Sequence, residues 1–279
     1  MTLQEYYNFP EGTNVQVKGM QSIYDSVPNI MLPANCTDLF KSLPIIGVYK
    51  YDTSQVTNMS NMFSGCTMFS CTYGLRYWDV SNVTNMSLMF RSASKISDLR
   101  PFQNWNTSNL TNMSTMFQFA SSIKTLDGIK DWDTSKVTDM SSLFYYSTSL
   151  IEFDVHWDTS NVKTMSGMFN SANAMQKVCA IDCSSIEQNK YPLYNNANLA
   201  NIGGFLNMKS SWTDNYGLTK CSKLTYESCI NILNGLYDFT GNGATPSSTQ
   251  GKLKVHANFL TTVGDEISIG TSKGWTITT

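Results

Sequence analysis

The sequence has few charged residues and little excess of either sign. Charged residues make up 14% of the 279 residues, and 19 Lys plus Arg stand against 21 Asp plus Glu, which gives a formal net charge of −2. Proteins that bind phosphate backbones rely on a broad basic field, which this composition does not supply. Hydrophobic residues reach 41%, unlike the highly charged, apolar-poor chains that stay disordered. We therefore expect a folded protein that does not bind nucleic acid.

Long apolar runs are also missing. No run approaches the roughly 18 apolar residues that a membrane helix needs. The segment from Met1 to Tyr7 lacks the basic start and the apolar stretch of a secretory signal. We expect no membrane insertion and, if the chain begins at its native start, no export by the ordinary secretory route.

Metal ligands at useful spacings are scarce. The seven cysteines include no C-x-x-C pair, and the only imidazoles are His156 and His256. These counts favour free, mostly buried thiols over a zinc site, with one disulfide left open. We predict no metal and no cofactor.

The sequence does contain a clear internal repeat. Five copies start with an aromatic residue, continue as D-T-S-N-V or a close variant, and end in an M-S-x-M-F block or a close variant. They start at Tyr51, Trp78, Trp105, Trp132 and Trp157. From the leading aromatic to the closing Phe there are 12 residues in every copy, whereas the stretch that follows is 15 residues long three times and then 13. A degenerate copy follows at Ile181 to Ile186, with Tyr194 in the Phe place, and Cys36 to Phe40 resembles the end of an earlier one.

This spacing predicts a stack of similar coils. Val56, Met59 and Phe63 stand at i, i+3 and i+7, which predicts a short helix that is stable only when neighbouring coils cover it. The W-D-T segment before it has the alternation of a strand. We expect one parallel strand and one short helix per coil, repeating at about 4.8 Å, with Val, Met and Phe columns forming a continuous core.

Five aspartates and one asparagine would then form a polar column of their own. Its members are Asp52, Asp79, Asn106, Asp133, Asp158 and Asp182. A Ser lies two residues after each, so each side chain is expected to accept backbone N–H bonds in an Asx turn. A calcium ladder is the alternative, although each coil offers a single carboxylate and calcium needs six to eight oxygens.

The two ends differ from the repeat. Residues 1–30, which include Tyr6, Tyr7, Phe9 and Ile23, are expected to cap or anchor one end, and residues 31–200 form the stack. In residues 201–279, Thr225 is expected to cap an amphipathic helix that presents Ile230, Leu233 and Tyr237 on one face. Residues 238–251 have the composition of a loop, residues 253–256 and 275–278 that of strands. We predict a C-terminal α+β cap.

The W-D-T-S-N-V-T-N-M-S-x-M-F coil resembles the BspA-like leucine-rich-repeat surface proteins of bacteria and gut bacteriophages. The tail is similar to their C-terminal cap at Ile202 to Phe205, Leu224 to Ser228, Leu236 to Asp238 and Lys273 to Thr276. The resemblance covers about 80% of the chain and implies a right-handed leucine-rich-repeat solenoid with roles in adhesion or surface recognition. It brings no catalytic residues.

We expect a non-enzymatic recognition or structural protein on a phage virion, as a fibre or decoration subunit that binds a protein or glycan on the host. A bacterial cell-surface adhesin is the alternative. Residues 1–30 are the candidate contact with other virion proteins. A carbohydrate-active enzyme using Asp154 and Asp158 is a further, weaker alternative.

Two sets of side chains are candidates for binding. The column just before the tryptophans varies in chemistry from coil to coil, as either a recognition surface or an unconstrained solvent surface would. Its members are Arg76, Tyr77, Gln103, Asn104, Lys130, Asp131 and His156. The tryptophan column itself could stack on sugars, but core burial is the favoured interpretation.

Overall fold

A computed structural model describes residues 30–48, 51–187, 190–193, 195–213, 217–248 and 250–279. Two predictions lie outside these ranges. One is the capping or anchoring role of the N-terminal segment, of which only Ile30 is described. The other is the assignment of Tyr194 to the Phe place of the degenerate copy.

The described chain consists mostly of turns and short strands, with few helices. The strands are β1 (Ile30–Met31), β2 (Tyr51–Asp52), β3 (Glu152–Phe153), β4 (Lys177–Val178), β5 (Ile181–Asp182), β6 (Asn201–Ile202), β7 (Phe205–Leu206), β8 (Lys252–Lys254) and β9 (Thr276–Thr278). The named strands pair in parallel as β1–β2, β3–β4–β6, β5–β7 and β8–β9. The helices are α1 (Tyr226–Gly235), α2 (Ala257–Val263) and α3 (Ser268–Ser272), and short 3-10 helices span Tyr73–Tyr77, Arg100–Phe102, Leu218–Lys220 and Gly264–Ile267.

Successive repeat units lie side by side in parallel register. Single parallel bridges join equivalent positions along the chain: Asn35 with Asn58, Asn58 with Asn85, Asn85 with Asn112, Asn112 with Asp139, and Asp139 with Thr164. Strand pairing was expected in the W-D-T segment and is formed there at Tyr51–Asp52 and Ile181–Asp182, yet these bridges lie seven residues after the leading aromatic. The units pair in the predicted register, but most of the bridges between them lie outside the predicted strand.

The predicted short helix between Val56 and Phe63 is absent. The segment forms successive turns, in which Met62 N–H bonds to Met59 O at 3.3 Å. The N–H groups of Met59, Asn61 and Phe63 donate instead to carbonyls of the next unit at 2.8 to 2.9 Å. Turns of this length bury a residue every third or fourth position, so their hydrophobic pattern imitates that of a helix.

The expected core columns are present. Val56, Met59, Met62 and Phe63 are fully buried, as are their equivalents in the following units. The clearest column is a stack of phenylalanine rings with centroids 5.2 to 6.1 Å apart and planes within 8° of parallel. It contains Phe40, Phe63, Phe90, Phe117, Phe144 and Phe169. Phe40 confirms that the segment ending there belongs to an earlier unit.

The tryptophan column is buried, which confirms core burial over exposed stacking. Exposed fractions are 3 to 8% for Trp78, Trp105, Trp132 and Trp157. The last three donate an indole N–H bond to a backbone carbonyl of the preceding unit, at 2.8 to 3.2 Å. The indole therefore contributes both apolar area and a hydrogen bond that fixes neighbouring units.

The predicted Asx turns are all formed. In each unit the acidic or amide oxygen accepts the backbone N–H of the Ser two residues later, at 2.8 to 3.1 Å. Hydrogen bonds from the side chains of Ser54, Ser135 and Ser160, and secondarily from their backbone N–H groups, hold the pKa of Asp52, Asp133 and Asp158 below the ordinary value. A second ladder of the same kind, which the sequence interpretation missed, runs through Asn35, Asn58, Asn85, Asn112 and Asp139.

The C-terminal segment contains the predicted helix and the two predicted strands, which pair with each other in parallel as β8 and β9. Thr225 Oγ1 accepts the N–H of Ser228 at 3.3 Å and begins α1. At the other end of α1, Lys273 Nζ donates to the carbonyls of Leu233, Asn234 and Leu236 at 2.8 to 3.2 Å, which satisfies acceptors that a helix end leaves open. Helices α2 and α3 were not predicted. Across the described ranges, no helix combines the length and the apolar character needed to cross a bilayer.

Candidate recognition surface

The variable residues before each tryptophan lie on one edge of the repeat, which we call the variable edge. It consists of Arg76, Tyr77, Gln103, Asn104, Lys130, Asp131 and His156. All are exposed except Tyr77, which is half-buried. These residues immediately precede the buried tryptophans, and before Trp105 and Trp132 both of them are exposed.

The first part of the variable edge surrounds an open pocket of about 320 Å³. Arg76, Gln103 and Asn104 line it together with Tyr73, Asp98, Arg100 and Pro101. Two of these neighbours form a bidentate ion pair, in which Arg100 Nε and Nη2 donate to the two carboxylate oxygens of Asp98 at 2.8 and 2.9 Å. This pairing holds the pKa of Asp98 below its ordinary value and fixes the guanidinium beside the pocket.

The Arg76 side chain is held by aromatic rings. Its guanidinium carbon lies 4.9 Å from the ring centre of Tyr73 and 5.7 Å from that of Tyr77. A cation over an aromatic face is attracted to the ring at these distances. The 3-10 helix Tyr73–Tyr77 thus gives the pocket an ordered positive charge.

The second part of the variable edge is a contact between two units. His156 Nδ1 lies 2.7 Å from Asp131 Oδ1, and the His156 backbone N–H donates to the Lys130 carbonyl at 2.8 Å. Both side chains of the pair are more than 60% exposed. The structure therefore places the seven predicted residues in two groups on one edge, rather than in a single site.

Sequence reasoning missed Tyr73, Asp98 and Arg100 as pocket residues. They stand in the return segments between the closing Phe and the next tryptophan, which share no motif. A second open pocket of about 320 Å³ continues past Asp98 and Arg100 to Thr125 and Asp127.

The other chemistries considered from the sequence have these outcomes. All seven cysteines are free thiols, so the disulfide that the sequence left as a possibility is not formed. Burial raises the pKa of Cys36, Cys66 and Cys229, the last to about 11. Among the residues that the structure describes, no three His, Cys, Asp or Glu side chains are grouped closely enough to hold a metal ion.

Comparison with known families assigns the repeat. Two segments, residues 34–127 and 119–213, match the family described as "Mycoplasma protein of unknown function, DUF285". Together they span more than half of the chain. The protein belongs to the DUF285 family. The matched residues contain the parallel bridges, the phenylalanine column and the whole variable edge, so these features lie within the DUF285 part of the molecule. No curated protein and no solved structure matches the chain.

Proposed function

We propose that this DUF285 protein is a non-enzymatic recognition protein that is displayed on a surface and binds a protein or glycan ligand. The observation that carries this proposal is the variable edge, where a repeated frame presents different exposed side chains in consecutive units. Repeat proteins use such surfaces for binding because the frame is rigid while the exposed residues are free to vary.

The architecture that we propose for the frame is a right-handed, leucine-rich-repeat-like solenoid of the BspA-like type. The parallel bridges between successive units and the continuous phenylalanine column support it. In such an arrangement each unit contacts mainly its neighbours, and residues on one edge lie in rows.

We propose a phage virion as the place of display, with the protein acting as a fibre or decoration subunit that binds the host. The similarity of the repeat to proteins of gut bacteriophages supports this location. A bacterial cell-surface adhesin of the BspA-like type is the competing assignment, and the two differ in which particle carries the protein.

The side chains weighed for sugar cleavage have other roles. Asp158 Oδ1 accepts the Ser160 N–H at 2.9 Å, and the pKa of Asp158 is lowered, whereas a general acid needs a raised pKa. Asp154 forms an ion pair with Lys177 at 2.8 Å. These contacts favour binding over hydrolysis. The enzymatic alternative requires glycan turnover that disappears in Asp154→Ala.

The location is tested by gold-labelled antibody against the purified chain, applied to phage particles and intact host cells from one culture. We expect label on the particles. Label on intact cells that surface proteolysis removes would assign the adhesin, and label confined to the cytoplasm would contradict surface display altogether.

The role of the variable edge is tested with fluorescently labelled protein on host cells. We expect Arg76→Ala combined with Gln103→Ala to reduce binding about tenfold, because both residues line the same pocket. Lys95→Ala, an exposed change outside the variable edge, is the matched control. Equal binding by all three proteins would exclude this edge as the binding surface.

A further inference from the structure

Three aromatic side chains that do not belong to the variable edge form a partly exposed cluster. Phe119, Tyr145 and Tyr146 have ring centres 5.0 to 5.7 Å apart. Tyr146 is 43% exposed, and the other two are half-buried. We call these three residues the aromatic platform. Buried aromatics are the rule elsewhere in the repeat, so an exposed group of this size requires an explanation.

The backbone at the aromatic platform adopts a conformation that bulky residues rarely accept. Two residues after the column Phe, each unit has a residue with φ between 58° and 75°. These residues are Ser42, Gly65, Ser92, Phe119, Tyr146 and Ser171. The left-handed region costs an L-residue about 1 to 2 kcal/mol and suits glycine or small polar residues best.

The fold does not require an aromatic residue at this position. Serine or glycine occupies it in the other units, with the same φ. Phe119 and Tyr146 therefore combine an unfavourable backbone conformation with incomplete burial, which limits what their rings contribute to stability. Strained residues of this kind are concentrated at binding and catalytic sites, where the surrounding structure holds them in place.

Amide side chains flank the rings on both sides. The row that contains Tyr145 continues to Gln118 in the preceding unit and Asn170 in the following one, since the Phe119 N–H donates to Tyr145 O and the Tyr146 N–H donates to Asn170 O. Arg91 Nε donates to Gln118 Oε1 at 2.8 Å, which orients that amide. The platform is therefore apolar at its centre, with hydrogen-bonding groups at its rim.

We propose that the aromatic platform binds a neutral oligosaccharide. The apolar C–H face of a pyranose stacks on aromatic rings, while its hydroxyls pair with amides such as Gln118 and Asn170. Three side chains provide much less than the roughly 800 Å² per partner that a stable protein interface buries. The inference rests on the proposed recognition function and names a ligand class and a site separate from the variable edge.

The test uses the purified full chain and three soluble probes: cellohexaose, maltohexaose and chitohexaose. Binding is measured by calorimetry and by saturation-transfer NMR. We expect at least one probe to bind with a Kd of about 1 mM or tighter. The double variant Phe119→Ser with Tyr146→Ser should weaken this binding about tenfold or more. Because serine occupies the same position in other units, the variant should fold with little change in Tm.

Tyr226→Ser is the matched control. Tyr226 is an exposed tyrosine at the start of α1, and its replacement should leave oligosaccharide binding unchanged. Absence of binding to all three probes, or equal binding by the double variant, would overturn the inference. So would a platform-dependent attachment to host cells that survives periodate destruction of their glycans, since that result identifies a protein ligand. Surface labelling is measured separately, so failure of the display proposal would not be confused with failure of this one.

Discussion

Replacement of one ring in the phenylalanine column gives the strongest expected change in stability. Phe117 is fully buried, and it stacks on Phe90 and on Phe144 with both centroid distances at 5.7 Å. Phe→Ala changes in cores cost about 3 to 5 kcal/mol. Stacked rings contribute about 0.5 to 1.5 kcal/mol per pair beyond buried area, and the two stacking contacts of Phe117 therefore place it in the upper half of the range for Phe→Ala changes. We expect Phe117→Ala to lower the free energy of unfolding by about 4 to 5 kcal/mol.

The matched control lies two residues further along the chain. Phe119→Ser removes a half-buried ring from the left-handed position that serine occupies in other units. Loss of that partial burial and relief of the backbone strain oppose each other, so we expect a change within about 1 kcal/mol. The two variants thus remove the same side chain from neighbouring positions with very different expected costs.

The assay is urea unfolding followed by circular dichroism and by tryptophan fluorescence. Coincident transitions and an unchanged slope with denaturant would show that the free energies are comparable. A cost below about 1 kcal/mol for Phe117→Ala, or equal costs for the two variants, would refute the continuous column.

Three further predictions concern the turns, the thiols and the contact between units. Asp133 has a lowered pKa through its bonds to Ser135, so its contribution is present above the unfolded pKa of about 4 and is lost as pH falls below it. In urea titrations at several pH values, Asp133→Asn should weaken the dependence of stability on acid, whereas Asp133→Ala should cost about 1 kcal/mol at neutral pH. An unchanged acid dependence in Asp133→Asn would contradict the role of this carboxylate in the turn. Cys229 is buried, and its pKa is raised to about 11. At pH 8, iodoacetamide should therefore modify it far more slowly than in urea and more slowly than the half-buried Cys71, as measured by mass spectrometry. Equal rates would contradict its burial. In Gly128→Ala, the added Cβ would clash with the carbonyl group of Leu99 in the preceding unit. We expect this clash to cost about 3 kcal/mol and to lower the Tm, and an unchanged Tm would contradict the close approach of the two backbones.

The register of the repeat could be predicted because it depends on residue types that recur at a fixed spacing in the sequence. Side chains at equal positions in units of equal length meet when the units lie side by side, which explains the success with Phe63 and Trp105. The Asx turn at Asp52 was predictable for a different reason: it is local, and needs only the Ser two residues later. The cap of α1 at Thr225 is local in the same way.

The helix expected at Val56 to Phe63 was wrong because hydrophobic spacing does not distinguish a helix from successive turns. The distinguishing feature is the left-handed residue inside the block, which is Asn61 in one unit but Leu88 or Thr115 in others. Leucine and threonine are not typical of left-handed turn positions, so the sequence does not reveal the turn there. Pocket residues such as Arg100 were missed because the return segments share no pattern, and their positions depend on contacts between units.

The most direct test of side-by-side units is a series of distances between equivalent residues, measured by pulsed electron paramagnetic resonance. One spin label, carried by an unnatural amino acid, stays at Gln55, and the second is placed at Asn109, Lys136 or Asn161 in turn, all of which are exposed. Parallel units in register predict backbone separations of about 10, 14 and 19 Å, an increase of about 4.8 Å for each unit crossed. Distances that do not rise with the number of units, or that exceed these values severalfold, would contradict the parallel stacking of the repeat.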